Sequence, residues 1–197
     1  MRQERGVRGM DTPFCLAVDF CEKGGAGHPV LYENVRLCII MDKKLRGGGV
    51  MASAFDVAEY LLSKADTTEN DMTHMKLQKL LYYCQGFSLA LLGRPLFPEV
   101  IEAWIHGPVV PVVYQAFKHC GKTPIESSGL GSVDALSSEE KDLIDDVYSV
   151  YGGYSAAKLR NLTHSETPWL GAEGKADNTI TTESMSVFFP TLLEEMV

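Results

Sequence analysis

The chain has 197 residues, 45% of them hydrophobic, and a formal net charge of −8, enough apolar material for one ordinary domain with a real core. No run approaches the ~18 apolar residues that cross a membrane, and Asp11, Asp19 and Glu22 interrupt any apolar stretch behind the basic N-terminus, so neither a membrane span nor a secretory signal is read. Charge is split along the chain: residues 1–50 hold 8 Lys+Arg against 6 Asp+Glu, and residues 51–197 hold 10 against 20. An acidic body repels phosphate backbones, which argues against general nucleic-acid binding and suits a cytoplasmic protein with a basic partner.

Residues 1–50 differ in character from the rest. The stretches RQERGVRGM, EKGGAGHP and KKLRGGGV are charged or loop-like, and FCLAVDFC and VRLCIIM are short apolar runs that can pair weakly as strands. Arg46-Gly47-Gly48 can be encoded by a purine-rich ribosome-binding sequence just ahead of Met51. Residues 1–50 are therefore expected to be a leader upstream of a true start at Met51, poorly ordered if translated; a small β-rich extension is the alternative.

From Ser53 the helical signals are strong. Ser53 and Asp56 make a capping-box-like pair, with Ala54, Val57, Ala58, Leu61 and Ala65 on one face. DTTENDM reads as a polar loop, and Thr73 caps a central helix with a stripe of Leu77, Leu80, Leu81, Cys84, Phe87 and Leu91, stopped at Gly93. The Pro-rich passage that follows is expected to be extended, with a short strand over Val100–Ile105 pairing with a second extended piece near Thr123–Glu126. Pro108 holds Gly107 out of the helical region, and Pro111 suits a first helical turn. Together they predict a sharp strand-to-helix entry, after which Val109, Val112, Val113, Ala116, Phe117 and Cys120 line a face up to Gly121.

SSGLGSVDA is a loop. Ser137 and Glu140 form a capping box for a helix that buries Leu143, Ile144, Val147, Tyr148 and Tyr151 and closes at Gly152-Gly153. Ser155 caps AAKLRNLTH, Thr167-Pro168 opens a short turn carrying Trp169, and AEGKADN is a loop. Pro190 is expected to end or kink the last helix. The predicted fold is mainly α: a single compact domain of about six to seven helices with a small two- to three-stranded β element, spanning residues 51–197.

Reactive constellations are few. Cys15, Cys21, Cys38, Cys84 and Cys120 are odd in number and match no zinc or redox spacing, so Cys84 and Cys120 read as reduced core residues. His164-x-Glu166 matches part of a zinc-deaminase signature but lacks its Pro-Cys-x-x-Cys partner. His106 is a candidate general base without a nucleophile or carboxylate at a telling spacing. A small hydrolase or metal enzyme using His106, His164 and Glu166 is the alternative, and it requires the three side chains to converge in one polar cleft. RGGGV lacks the Lys-Ser/Thr of a phosphate loop. No cofactor, metal or catalytic residue is assigned. Lys76 and Lys79 with Tyr82, Tyr83 and Gln85 suggest a polar-aromatic contact surface. The partner-binding candidates are Lys79, Tyr82, Tyr83, Gln85, Trp104, His106, Pro108, Tyr114 and Trp169.

An ordered series of motifs carries a resemblance. DVAEYLLSK, MTHMKLQKLLYYCQGFSLALLGRPLFPEVIEAWIHGPVVPVVYQAFKHCG, LSSEEKDLIDDVYSVYGGYSAAKLRNLTHSETPW and TTESMSVFF together resemble the Panacea domain, the SocA-like antitoxin family that also includes prophage-associated proteins. Leu77 to Tyr83, Glu102-Ala103-Trp104, Gly107-Pro108-Val109 and His164-x-x-x-Pro168-Trp169 stand where the family pattern has such residues. His106 departs from the tyrosine expected before Gly-Pro, and Cys84 from a small residue such as alanine, which weakens a catalytic role for either. The resemblance implies a non-enzymatic antitoxin that neutralises a toxin encoded beside it. Some relatives act as adaptors delivering the toxin to an ATP-dependent protease. The family is associated with many unrelated toxins, so it names no particular one, and neither nucleic acid nor membrane is an expected partner.

Overall fold

The computed structural model describes residues 51–65 and 72–194. The readings of residues 1–50, and most of the polar loop before Met72, lie outside the described residues. Within them, seven α-helices and a three-stranded sheet make a mainly α fold.

Helix α1 (Ala54–Lys64) starts at Ser53, whose Oγ accepts the Asp56 amide while the Asp56 carboxylate accepts the Ser53 amide, so two otherwise orphaned donors are satisfied. Its expected inner face is buried at Ala54, Val57, Ala58 and Leu61, with Ala65 only partly covered at the C-cap.

Helix α2 (His74–Phe87), capped by Thr73, is the centre of the molecule. The sequence predicts one apolar stripe and a polar outer face; in the structure every residue from Lys76 to Phe87 is buried. Elements pack on all sides of it, so its polar side chains find partners inside rather than in water. The helix widens into a π-turn over Ser88–Leu92 and ends at Gly93, whose φ of 68° is left-handed. Gln85 then fixes the Pro-rich passage: its Oε1 accepts the amides of Leu96 (2.8 Å) and Phe97 (3.2 Å), and its Nε2 donates to the Phe97 carbonyl (3.0 Å).

Strand β1 (Ile101–Trp104) sits between β2 (Gly107–Val109) and β3 (Thr179–Ile180), antiparallel to both. The expected partner near Thr123–Glu126 is incorrect: Ile125 instead donates its amide to the Met72 carbonyl at 2.9 Å. A local hairpin with Ile105 and His106 at its tip wins over the longer closure. The Gly-Pro step is thus the return strand of that hairpin rather than a direct strand-to-helix entry. Gly107 adopts φ +96°, and Pro108, lacking an N–H, sits on an edge strand.

Pro111 opens α3 (Pro111–Phe117) as expected. The short helix turns Val113 and Phe117 inward and leaves Val112 exposed, against the predicted face. Helix α4 (Ser138–Tyr151) has the full Ser137–Glu140 capping box, and Glu140 also accepts from Arg94 Nη1 at 2.7 Å. Helix α5 (Ala156–Thr163) is capped by Ser155. What reads as a short turn at Thr167-Pro168 is a helix, α6 (Thr167–Ala172), begun by Pro168 in its first turn.

The last helix, α7 (Thr182–Glu194), does not end at Pro190. Proline deprives the Ser186 carbonyl of its helical donor, but Ser186 is exposed and water can take its place. Phe189, one residue earlier, is fully buried against Tyr82 (5.3 Å) and Phe87 (5.1 Å), both edge-on. Gly86 makes room for it: a Cβ there would lie 2.1 Å from the Phe189 ring. Among the described residues, no helix is long and apolar enough to cross a membrane.

Candidate partner-binding surface

The β1–β2 hairpin presents the half-buried Trp104 and, at its tip, the exposed Ile105. Trp104 stands at the end of β1, with its ring edge-on to Tyr114 of α3 at 4.8 Å and its indole N–H on Glu102 at 2.7 Å. Its carbonyl accepts the indole N–H of Trp169 at 3.1 Å, tying α6 to the hairpin. Trp169 is stacked by His164 at 3.9 Å, and His74 also meets the Tyr114 ring, edge-on at 5.6 Å. Ile105 at the hairpin tip is 75% exposed and Leu170 on α6 is 53% exposed. A Trp-Tyr-His patch with aliphatic neighbours, held by hydrogen bonds through its polar ends, has the composition of protein-contact surfaces.

Beneath the hairpin lies a polar layer. Lys79 of α2 is fully buried and donates from Nζ to the Pro108 carbonyl at 2.9 Å. Burial, with the nearby Arg160 charge, brings its pKa down to about 7. Gln78 accepts the Val110 amide at 2.7 Å. Gly107 lies so close that a Cβ would be 2.7 Å from Lys79 Cε and 2.8 Å from Thr163 Oγ1. Glycine is therefore required there twice over, by the positive φ and by the close approach.

On the inner side, Glu166 is buried and accepts hydrogen bonds from Tyr82 (2.6 Å) and Tyr83 (2.7 Å). Burial raises its pKa to about 7 in spite of the two hydroxyl donors. Tyr83 in turn stacks on Tyr151 at 4.0 Å.

The structure divides the nine sequence-derived contact candidates in two. Trp104, His106, Tyr114 and Trp169 come together around the hairpin, although Trp169 is largely covered. Lys79, Tyr82, Tyr83, Gln85 and Pro108 are buried. The expected polar-aromatic surface on α2 is corrected accordingly: these side chains stay inside because they have interior partners in Glu166, the Pro108 carbonyl and the Leu96–Phe97 backbone. Ile105, Leu170 and His164 are not among those nine candidates: Ile105 is exposed at the hairpin tip, Leu170 is exposed beside Trp169 on α6, and His164 stacks on Trp169. Ile105 could not be found without the hairpin turn, which the sequence reading missed, and the other two depend on how α5 and α6 pack.

His164 and Glu166 point apart in role, one stacked on Trp169 and the other engaged with the buried tyrosines. Among the described residues, no group of three or more His, Cys, Asp or Glu side chains is placed to hold a metal ion. Cys84 is fully buried and its thiol pKa is raised far above the ordinary range by burial, the opposite of what a nucleophile needs.

Comparison with known proteins bears on this arrangement. Residues 77–170, which contain most of α2, most of α6 and the whole hairpin between them, match the family described as antitoxin SocA-like, Panacea domain. The chain is 36% identical to Antitoxin SocA from Caulobacter vibrioides (strain NA1000 / CB15N) over a 124-residue alignment that covers 57% of this chain and 66% of that relative. The aligned part thus falls just short of two thirds of the relative's length. No solved structure matches.

Proposed function

We propose that the chain, which matches the SocA-like Panacea domain family over residues 77–170, is a non-enzymatic antitoxin, binding and neutralising a toxin encoded beside it through the Trp104–Ile105–Tyr114–Leu170 face. The observation that carries the reading is this face itself: exposed aliphatic side chains around tryptophan and tyrosine, anchored on a rigid hairpin. Rigid aromatic anchors lose little freedom on binding, so such a patch converts buried area into affinity efficiently. The net charge of −8 adds attraction for a basic partner and disfavours nucleic acid. Delivery of the bound toxin to an ATP-dependent protease is a further step of the proposal, and it predicts that the toxin's half-life in cells shortens when this chain is co-expressed. Expression of the adjacent gene alone should arrest growth, and co-expression with this chain should restore it. A harmless neighbour, or rescue that survives Trp104→Ala with Ile105→Asp, contradicts the proposal.

A further inference from the structure

On a chain of net charge −8, three side chains that carry or can carry positive charge, Arg160, His164 and His106, lie within electrostatic reach of one another beside the hairpin, with Lys79 buried beneath them. Gly107 lies against both Lys79 and Thr163, which brings their sequence neighbours His106 and His164 to the same spot. Arg160 is one helical turn before His164, whose amide donates to the Arg160 carbonyl at 3.0 Å. Two side-chain nitrogens here are buried without a hydrogen-bond partner among the described residues, Arg160 Nε and His164 Nε2. The remaining guanidinium contact is weak, from Nη1 to Asn161 at 3.5 Å. Buried polar groups are as a rule satisfied; the unpaired Arg160 Nε–H calls for an acceptor, and His164 Nε2 becomes a second donor when its ring is protonated.

We propose that Arg160, His164 and His106, backed by Lys79, form a seat for one carboxylate from an acidic residue of the bound partner protein. This rests on the chain working as a binding protein. The electrostatics agree: burial first, then Arg160, Lys79 and His106, push the His164 pKa down, and Glu173 is the carboxylate that opposes them. An anion placed among these groups relieves the mutual repulsion of all four. A guanidinium edge suits the planar carboxylate. The adjoining Trp104, Ile105 and Leu170 favour a peptide bearing one acidic residue beside apolar ones over a polyanion, which the acidic body repels. The seat gives the face a point of register that apolar contact alone lacks.

The test uses the full chain without any partner and sodium acetate as the probe. Histidine ring resonances are followed by NMR at pH 6.5 as acetate replaces chloride at constant ionic strength. Saturable shifts of His106 and His164 but not His119 are expected, with the His164 pKa rising on saturation. Arg160→Gln should weaken acetate binding about tenfold or more, with partial recovery in Arg160→Lys, and His106→Gln at the exposed hairpin tip should weaken it without affecting the fold. Shifts that do not saturate, equal shifts with chloride, preference for phosphate over acetate, or an unchanged Arg160→Gln would each overturn the proposal. Because no toxin enters the experiment, its result stands apart from the growth-rescue test.

Discussion

Glu166→Gln should remove a distinctive pH dependence from the stability of this protein. The carboxyl is enclosed by Tyr82, Tyr83 and Tyr151, and its pKa rises from 4.5 to about 7 because burial outweighs the two hydroxyl hydrogen bonds. With the folded pKa above the unfolded one, the proton stabilises the fold. That stability is fully present below the unfolded value near 4.5 and is lost as pH rises through about 7. The size of the shift corresponds to about 3 kcal/mol between pH 4.5 and pH 8. The introduced amide resembles the protonated acid, so the variant should match the wild type near pH 5 and exceed it by up to about 3 kcal/mol at pH 8. Urea unfolding of both proteins across this range measures it. His74 and His164 titrate nearby with the opposite sign, their pKa values being lowered chiefly by burial, so the informative quantity is the difference between the two proteins. A difference that stays flat with pH, or a variant that loses ground as pH rises, would refute the reasoning, because it would mean the tyrosine hydroxyls hold Glu166 ionised.

Gly86→Ala should lower stability by about 1–3 kcal/mol despite alanine's better helix propensity, because its Cβ would meet the fully buried Phe189 ring at 2.1 Å; a rise in the urea midpoint would show that the ring gives way. Gln85→Leu should cost about 3 kcal/mol or more by leaving the Leu96 and Phe97 amides and the Phe97 carbonyl unpaired, seen as a drop in thermal midpoint. The Cys84 thiol should stay unmodified by iodoacetamide in the folded protein and react only on unfolding; alkylation at the native rate of a small thiol would contradict its burial.

Local signals in the sequence were reliable where one residue satisfies its own neighbours. Ser53 with Asp56, Ser137 with Glu140, and Ser155 cap their helices as their spacing says. Readings that depend on what packs alongside fared differently. The polar side chains of α2 look like a solvated face because hydrophobic period alone cannot register that Glu166, 84 positions beyond Tyr82, waits to accept from Tyr82 and Tyr83. The strand over Ile101–Trp104 was legible, whereas its neighbours were not, since β3 has only two residues and β2 contains a proline. Part of the candidate face, namely Trp104, His106, Tyr114 and Trp169, could be named from residue type, while Leu170 and His164 reach it only through the packing of α5 and α6.

The central claim is that this protein acts through the hairpin face, and the most direct measurement is the affinity of the adjacent gene's product for the wild-type chain and for Ile105→Asp, by titration calorimetry. Ile105 is 75% exposed and contributes nothing to the core. The variant should therefore keep the wild-type thermal midpoint while its Kd rises about a hundredfold, as a charge forced into an apolar contact demands. Unchanged affinity at unchanged stability would place the contact elsewhere on the molecule.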